Sequence, residues 1–218
     1  DGQLNLLYWQ APSTMNPNLS GGTKELEASS VVLEPLARYD EKGNMLPWLA
    51  EEIPTVENGG VSKDLTSITW KIKKGIKWSD GSALTADDAV FTYEYCTNPD
   101  TGCTSTNYYK DIQSVKAIGS NTVKIQFTVP KPFPYATFVG YNSPILQKAQ
   151  FDGCQGAKAQ ECTKQNFYPI GTGPFKVVDF KPNDVIVFEA NPNYRDASKP
   201  AFNKLVLKGG GDATSAAR

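Results

Sequence analysis

The 218-residue chain contains no histidine. That single absence removes Ser-His and Cys-His catalytic pairs, and every histidine-based metal site with them. It also lacks any apolar run approaching the ~20 residues that cross a bilayer, so no direct membrane insertion is expected. Charge is balanced: 22 Lys and Arg stand against 23 Asp and Glu, for a net charge of −1, with no basic block. Surfaces that bind nucleic acid or anionic lipid neutralise phosphates with a basic stripe, so neither partner is expected. No repeat, linker or low-complexity tract interrupts the chain. Hydrophobic residues at 39% and charged residues at 21% are those of a globular protein. The length suffices for one large domain or two modest ones.

The chain opens at Asp1-Gly2 without a charged and then apolar leader. This is the expectation for a mature extracytoplasmic protein whose signal sequence is not present in the chain. At the other end, residues 213–218 begin a helix-like stretch that stops at Arg218, as a trypsin-like cut or a designed boundary would leave it.

Four cysteines indicate the compartment. Cys96 and Cys103 bracket a polar, Gly-containing stretch, and so do Cys154 and Cys162. Such loops fold back far enough to bring two Cβ atoms within disulfide range. The sequence alone permits three connectivities, of which the two local pairings are expected. With no histidine and no C-x-x-C, a zinc site has too few ligands. Disulfides imply an oxidising, extracytoplasmic location.

Residues 3–9 read as an almost wholly apolar strand, buried on both faces. A helix is expected over residues 24–36, with Leu26, Val32, Leu33 and Leu36 inward and Pro35 disturbing its last turn. Ile68, Trp70 and Ile72 alternate with polar residues as a half-buried strand, and Val123, Ile125 and Phe127 do the same. Thr85-Ala86-Asp87-Asp88 starts the clearest helix, because threonine caps free N–H groups and aspartates suit the positive helix end. Its packed side is expected to carry Ala89, Val90, Tyr93 and Cys96. A hairpin joins residues 175–180 to 185–190, and a short strand follows at 205–208. The fold class is mixed α/β, with strands outnumbering helices.

The chemistry of sites is sparse. Asp87 and Asp88 are read as helix caps. Gly171-Thr172-Gly173 lacks the lysine and third glycine of a phosphate loop and is read as a tight turn into a strand. Trp70 belongs to a core face, and Trp48 and Trp78 to the core or to an interface between subdomains. Tyr8 and Trp9 close the first strand and precede a long loop, where open α/β sheets place ligands. No cofactor and no metal are expected.

Several segments together resemble the large bacterial solute-binding proteins of family 5, which serve oligopeptide, dipeptide and nickel-type ABC importers. They are Met15-Asn16-Pro17, Leu33-Glu34-Pro35-Leu36-Ala37-Arg38-Tyr39-Asp40, Leu46-Pro47-Trp48-Leu49-Ala50-Glu51, and Trp70-Lys71-Ile72-Lys73-Lys74-Gly75-Ile76-Lys77-Trp78-Ser79-Asp80-Gly81. Thr85-Ala86-Asp87-Asp88-Ala89-Val90, Gly171-Thr172-Gly173-Pro174-Phe175 and Asn191-Pro192-Asn193-Tyr194 complete the series in the right order. The resemblance implies a type II (cluster C) periplasmic-binding-protein fold. This chain would be lobe I and lobe II would be absent. Residues 1–40 plus 166–218 would form the sheet-bearing part of lobe I, and residues 41–165 an inserted subdomain. It also implies that the loop before the first helix, Gly21, Gly22, Thr23, Lys24 and Glu25, offers backbone to an extended ligand. Together with Tyr8 and Trp9 this loop is expected to line one wall of a cleft. The implied partners are a peptide or small-molecule ligand and the ABC permease subunits. The family includes carriers of peptides, sugars, opines and metal chelates. Two other classes fit the same residues: an extracytoplasmic sensor or chaperone-like peptide binder on this scaffold, and a secreted carboxylate-based hydrolase.

Overall fold

A computed structural model describes residues 2–8 and 10–210. The strand β1 (Gln3–Tyr8) leads through a long loop to helix α1 (Thr23–Ser29). A short antiparallel pair follows, β2 (Ala37–Tyr39) with β3 (Met45–Pro47). Next come β4 (Ser67–Lys71), helix α2 (Ala86–Thr97), β5 (Ile112–Ile118) and β6 (Thr122–Phe127). Two short helices, α3 (Lys148–Phe151) and α4 (Thr163–Phe167), precede β7 (Phe175–Lys181), β8 (Val185–Ala190) and β9 (Lys204–Gly209).

The strands form two principal sheets. β4, β6 and β5 make an antiparallel sheet in that order, and β1, β9, β8 and β7 make a four-stranded mixed sheet. In the first, alternation does what the sequence asks: Ile68, Trp70, Val123 and Ile125 are fully buried, with Val115 beneath them. α2 covers this sheet. Its N-terminus carries a complete capping box, with the Thr85 side chain on the N3 backbone and the Asp88 side chain returning to the Thr85 N–H. Asp88 therefore serves as a cap, and it also accepts from Trp78 Nε1 and the Lys148 backbone. The buried side of α2 is Ala86, Ala89, Phe91, Thr92, Tyr95 and Cys96, whereas Val90 and Tyr93 are only half-buried. The inward face is thus rotated from the expected one, because the large rings of Phe91 and Tyr95 take the core.

Three further expectations are corrected. α1 ends at Ser29 instead of running to residue 36. Beyond it the backbone is committed elsewhere: the Val31 and Val32 carbonyls accept from Phe175 N and Gly173 N at 3.1 and 2.9 Å. Val32, Leu33 and Leu36 are nonetheless inward. Strand β1 is exposed along its length instead of buried on both faces, with Leu4, Leu6 and Leu7 38%, 43% and 46% exposed. It lies at the sheet edge and, among the described residues, pairs only with β9, in parallel, from Gln3↔Lys204 to Tyr8↔Gly209. Third, β5 is a strand that the sequence pattern did not announce, because a register shift between Ile112 and Ser114 breaks its alternation.

Gly171 and Gly173 are a tight turn for a steric reason. A Cβ at Gly171 would stand 1.9 Å from the Val32 carbonyl oxygen, and one at Gly173 2.5 Å from that of Val31. Only glycine lets the two backbones approach this closely. The helix-like stretch at 213–218 lies outside the described residues.

Candidate functional site

The loop from Met15 to Gly22 is held from below by buried amides. Met15 N donates to Asn166 O at 3.1 Å. Asn16 is fully buried, and its Nδ2 donates to the Tyr95 hydroxyl and to Asn166 Oδ1 at 3.1 and 3.0 Å. Burial pushes the Tyr95 hydroxyl up to about 12, so it remains a neutral partner at any physiological pH. Asn18, also fully buried, accepts from Thr104 N through its carbonyl at 2.8 Å and from Ser105 Oγ through Oδ1 at 3.0 Å. The next residues emerge: Gly21, Gly22, Thr23 and Thr104 are exposed. Gly21 lies beside the Thr104 side chain: a Cβ at this position would sit 3.6 Å from Oγ1, in ordinary van der Waals contact.

Both disulfides form, with the local pairing. Cys96–Cys103 and Cys154–Cys162 have Cα separations of 5.2 and 5.9 Å. Cys96 and Cys154 are buried, so each bridge has one end in the core, and neither is confined to pinning a surface excursion. The two loops also meet. Gly156 N, in the second, donates to Thr101 Oγ1, in the first, at 2.9 Å. Gly102 and Gly156 both take positive φ, +73° and +62°, at the reversals. The first bridge delivers Thr104 and Ser105 to Asn18. The second precedes Asn166, which grips Met15 and Asn16 and donates to Ala159 O at 2.8 Å.

One short 3₁₀ turn beyond Thr104, Tyr108 lines a cavity of about 420 Å³. Its walls include Arg38, Tyr39, Tyr108, Tyr135, Tyr141 and Asn142. Asn142 Nδ2 donates to the Tyr108 hydroxyl, and the Tyr135 hydroxyl donates to Pro54 O at 2.6 Å. Behind Arg38 lies a polar knot around the fully buried Glu34. Its two oxygens accept from Arg195 Nη1 and Nη2 at 2.7 and 3.0 Å, from Thr172 Oγ1 at 2.8 Å, and from Trp48 Nε1. Burial works against the charged Arg195, but the bidentate bond to Glu34 more than offsets it and its pKa is raised. Arg38 stacks over the Trp48 ring at 4.7 Å, and burial lowers its pKa.

The expected site residues thus separate. Gly21, Gly22 and Thr23 stand at the surface, Gly21 beside Thr104 and Thr23 as the first residue of α1. Glu25 is buried, and its carboxylate accepts from Ser13 N and Oγ, so it braces the loop and is not presented to solvent. Tyr8 and Lys24 line a different groove, of about 170 Å³, between α1 and the exposed sheet face, and the Tyr8 hydroxyl donates to Glu27. Trp9 lies outside the described residues. Sequence reasoning missed Arg38, Thr104, Tyr108, Tyr141 and Asn142. The density of proline and aromatic residues over 130–142 was the available signal. Among the described residues, no cluster of acidic or cysteine side chains could hold a metal ion, and no helix is long and apolar enough to cross a membrane.

Residues 44–218, well over half of the chain, match the family model of bacterial extracellular solute-binding proteins, family 5, middle region. The chain belongs to this family. A curated relative, the oligopeptide-binding protein AppA of Bacillus subtilis, is 30% identical over 205 residues, 94% of this chain and 36% of the relative. OppA of the same organism is 25% identical, covering 93% and 38%. Among solved structures, AppA of B. subtilis in complex with a nonapeptide superposes with a TM-score of 0.84 at 28% identity, over 95% of this chain and 40% of that one. The substrate-binding protein CtaP of Listeria monocytogenes gives 0.83 at 27%, over 99% and 42%. The fold is that of type II periplasmic binding proteins, and the family relatives are binding proteins. The chain spans about two fifths of the length of the relatives it matches.

Proposed function

We propose that the protein is the extracytoplasmic solute-binding component of an ABC importer, without enzymatic activity. It captures a peptide-like or other small polar ligand between two lobes, of which this chain supplies lobe I. Residues 1–40 with 166–218 are the sheet-bearing part and 41–165 the insert. The whole protein then hands its ligand to permease subunits in the membrane. The observation that carries this reading is the exposed Gly21-Gly22 entry to α1, which follows a loop anchored by buried amides and lies beside the disulfide-bound Thr104 segment, in a chain of this family. A rigid, uncovered segment of main chain suits an extended ligand, which adds to it as a strand would. The tyrosine-lined cavity one 3₁₀ turn away supplies room for a side group.

Calorimetric titration of the full-length protein with a panel of four- to nine-residue peptides tests the reading. Binding in the micromolar range or tighter is expected. The 218-residue chain alone is expected to bind the same peptide about a thousandfold more weakly, since losing half of a micromolar binder's free energy leaves a millimolar Kd. Failure of every peptide would remove peptides as the ligand class, and undiminished affinity in the isolated chain would remove the second lobe from the mechanism.

A further inference from the structure

The buried part of the knot behind the cavity does not balance its charge. Glu34 is its one buried carboxylate facing two guanidiniums, and its oxygens are already occupied by Arg195, Thr172 and Trp48. Asp196, which also acts on Arg195, is exposed and makes no bond to either guanidinium. Arg38 has no carboxylate partner among the described residues. Its Nη2 donates to the Ser30 and Leu33 carbonyls at 2.8 and 3.2 Å, which neutralise nothing. Its Nε is buried with no partner, and its Nη1 donates to nothing described and is not sealed from solvent. A guanidinium carries five N–H donors in a planar fork; here three of them are unspent. A partly desolvated cation with free donors is a costly arrangement unless something answers it.

The surroundings select the answer. No Asp or Glu lines the cavity; around Arg38 the walls are tyrosines, an asparagine and small residues. Tyr39 and Tyr141 are 47% and 43% exposed, so their rings are presented to a visitor. Phe133, 63% exposed, meets Tyr135 edge to face at 5.0 Å and extends the aromatic rim. The volume exceeds what a bare carboxylate needs and accommodates a side chain or ring attached to it.

We propose that this cavity is a subsite for a carboxylate-bearing group of the ligand, with Arg38 as the counter-charge and the tyrosines packing the group that carries it. The proposal rests on the peptide-binding reading above for the identity of the ligand. The carboxylate comes either from a peptide C-terminus or from an acidic side chain, and both would meet the same guanidinium fork.

Titration of the full-length protein with three matched peptides separates these sources: free acid, C-terminal amide, and a variant with its glutamate replaced by glutamine. We expect the wild type to lose about tenfold or more in affinity when the recognised carboxylate becomes an amide, as for a charge-assisted hydrogen bond. Whichever substitution produces the loss names the source. In Arg38→Gln the same pair should bind within about twofold of each other. Arg38→Lys keeps the charge and should retain part of the preference. Tyr141→Ala, at an exposed position, should weaken peptides with a large group next to the carboxylate while leaving the acid-over-amide preference intact. If the wild type binds acids and amides alike, or if Arg38→Gln keeps the preference, the subsite proposal is overturned while the importer reading stands. If no peptide binds, the peptide reading falls, and phenylacetate against phenylacetamide becomes the probe pair, followed by tyrosine-ring NMR signals. Shifts with the acid alone would uphold the subsite; no shift with either would overturn it.

Discussion

The two principal sheets both carry apolar strand residues, but one strand of the second leaves them uncovered. In the three-stranded sheet, Ile68, Trp70, Val123 and Ile125 have no exposed surface, because α2 closes over the face toward which they alternate. In the four-stranded sheet, Leu4, Leu6 and Leu7 on β1 remain about two-fifths exposed, while Ile186 and Phe188 on β8, two strands away, are fully buried. Apolar composition states a preference for burial, but a neighbouring element must satisfy it. β1 has β9 on one side only, and among the described residues nothing lies along its other edge. An uncovered, apolar edge strand is a template for pairing.

The largest test of this contrast is a pair of truncations. Trp70→Ala removes a fully buried ring from the closed sheet and should cost about 3–5 kcal/mol. Leu6→Ala on β1 should cost less than about 1 kcal/mol in this chain. Denaturant titration of the two variants reads both values, and a Leu6→Ala penalty approaching that of Trp70→Ala would show that β1 is covered in solution. Next in size is the first disulfide. Replacing Cys96 and Cys103 together by serine reopens an eight-residue loop, about 2.5 kcal/mol on loop-closure grounds. Since that bridge sets Thr104 and Ser105 against Asn18, ligand affinity should fall along with stability. A loss of stability with affinity unchanged would confine the bridge to a structural role.

How much of this was legible follows the range of the interactions involved. β4, β6, the β7–β8 hairpin and the capped start of α2 are written in short spacings: alternation over five residues, or Thr85 to Asp88. The length of α1 was not, because Gly173 and Phe175, more than 140 positions away, claim the Val31 and Val32 carbonyls that a longer helix would use. The Gly21-Gly22 loop was visible as a glycine pair after an asparagine- and proline-rich stretch. The cavity left no trace beyond the proline and aromatic density over 130–142, since Arg38, Tyr108 and Tyr141 are scattered over about a hundred residues and meet only through the fold. Glu25 misled for the opposite reason: it follows the exposed residues 21–23, but helical geometry turns its side chain inward to Ser13.

The smallest expected effect concerns the rim of the closed sheet. Asp111 accepts from Lys131 Nζ at 2.8 Å, and that bond holds its carboxyl below the ordinary value. A depressed acid contributes stability above its unfolded-state pKa, near 3.8, and loses it as pH falls through the folded value. Asp111→Asn should therefore lower the thermal midpoint slightly at neutral pH. The difference from wild type should shrink as the solution is acidified below pH 4 and vanish once both proteins are uncharged at that position. A difference independent of pH would assign the effect to packing.

The parallel pairing of β1 with β9 also imposes a timetable. Gln3 meets Lys204, so β1 waits for a partner strand about two hundred residues further along the chain. At about 5–20 residues per second, that interval is roughly 10–40 s. The β4–β6–β5 sheet and its capped helix draw on residues 67–127 alone and are complete long before then. During the wait, Leu4, Leu6 and Leu7 form an unpartnered apolar strand in the growing chain, a handhold for a chaperone that grips extended hydrophobic segments.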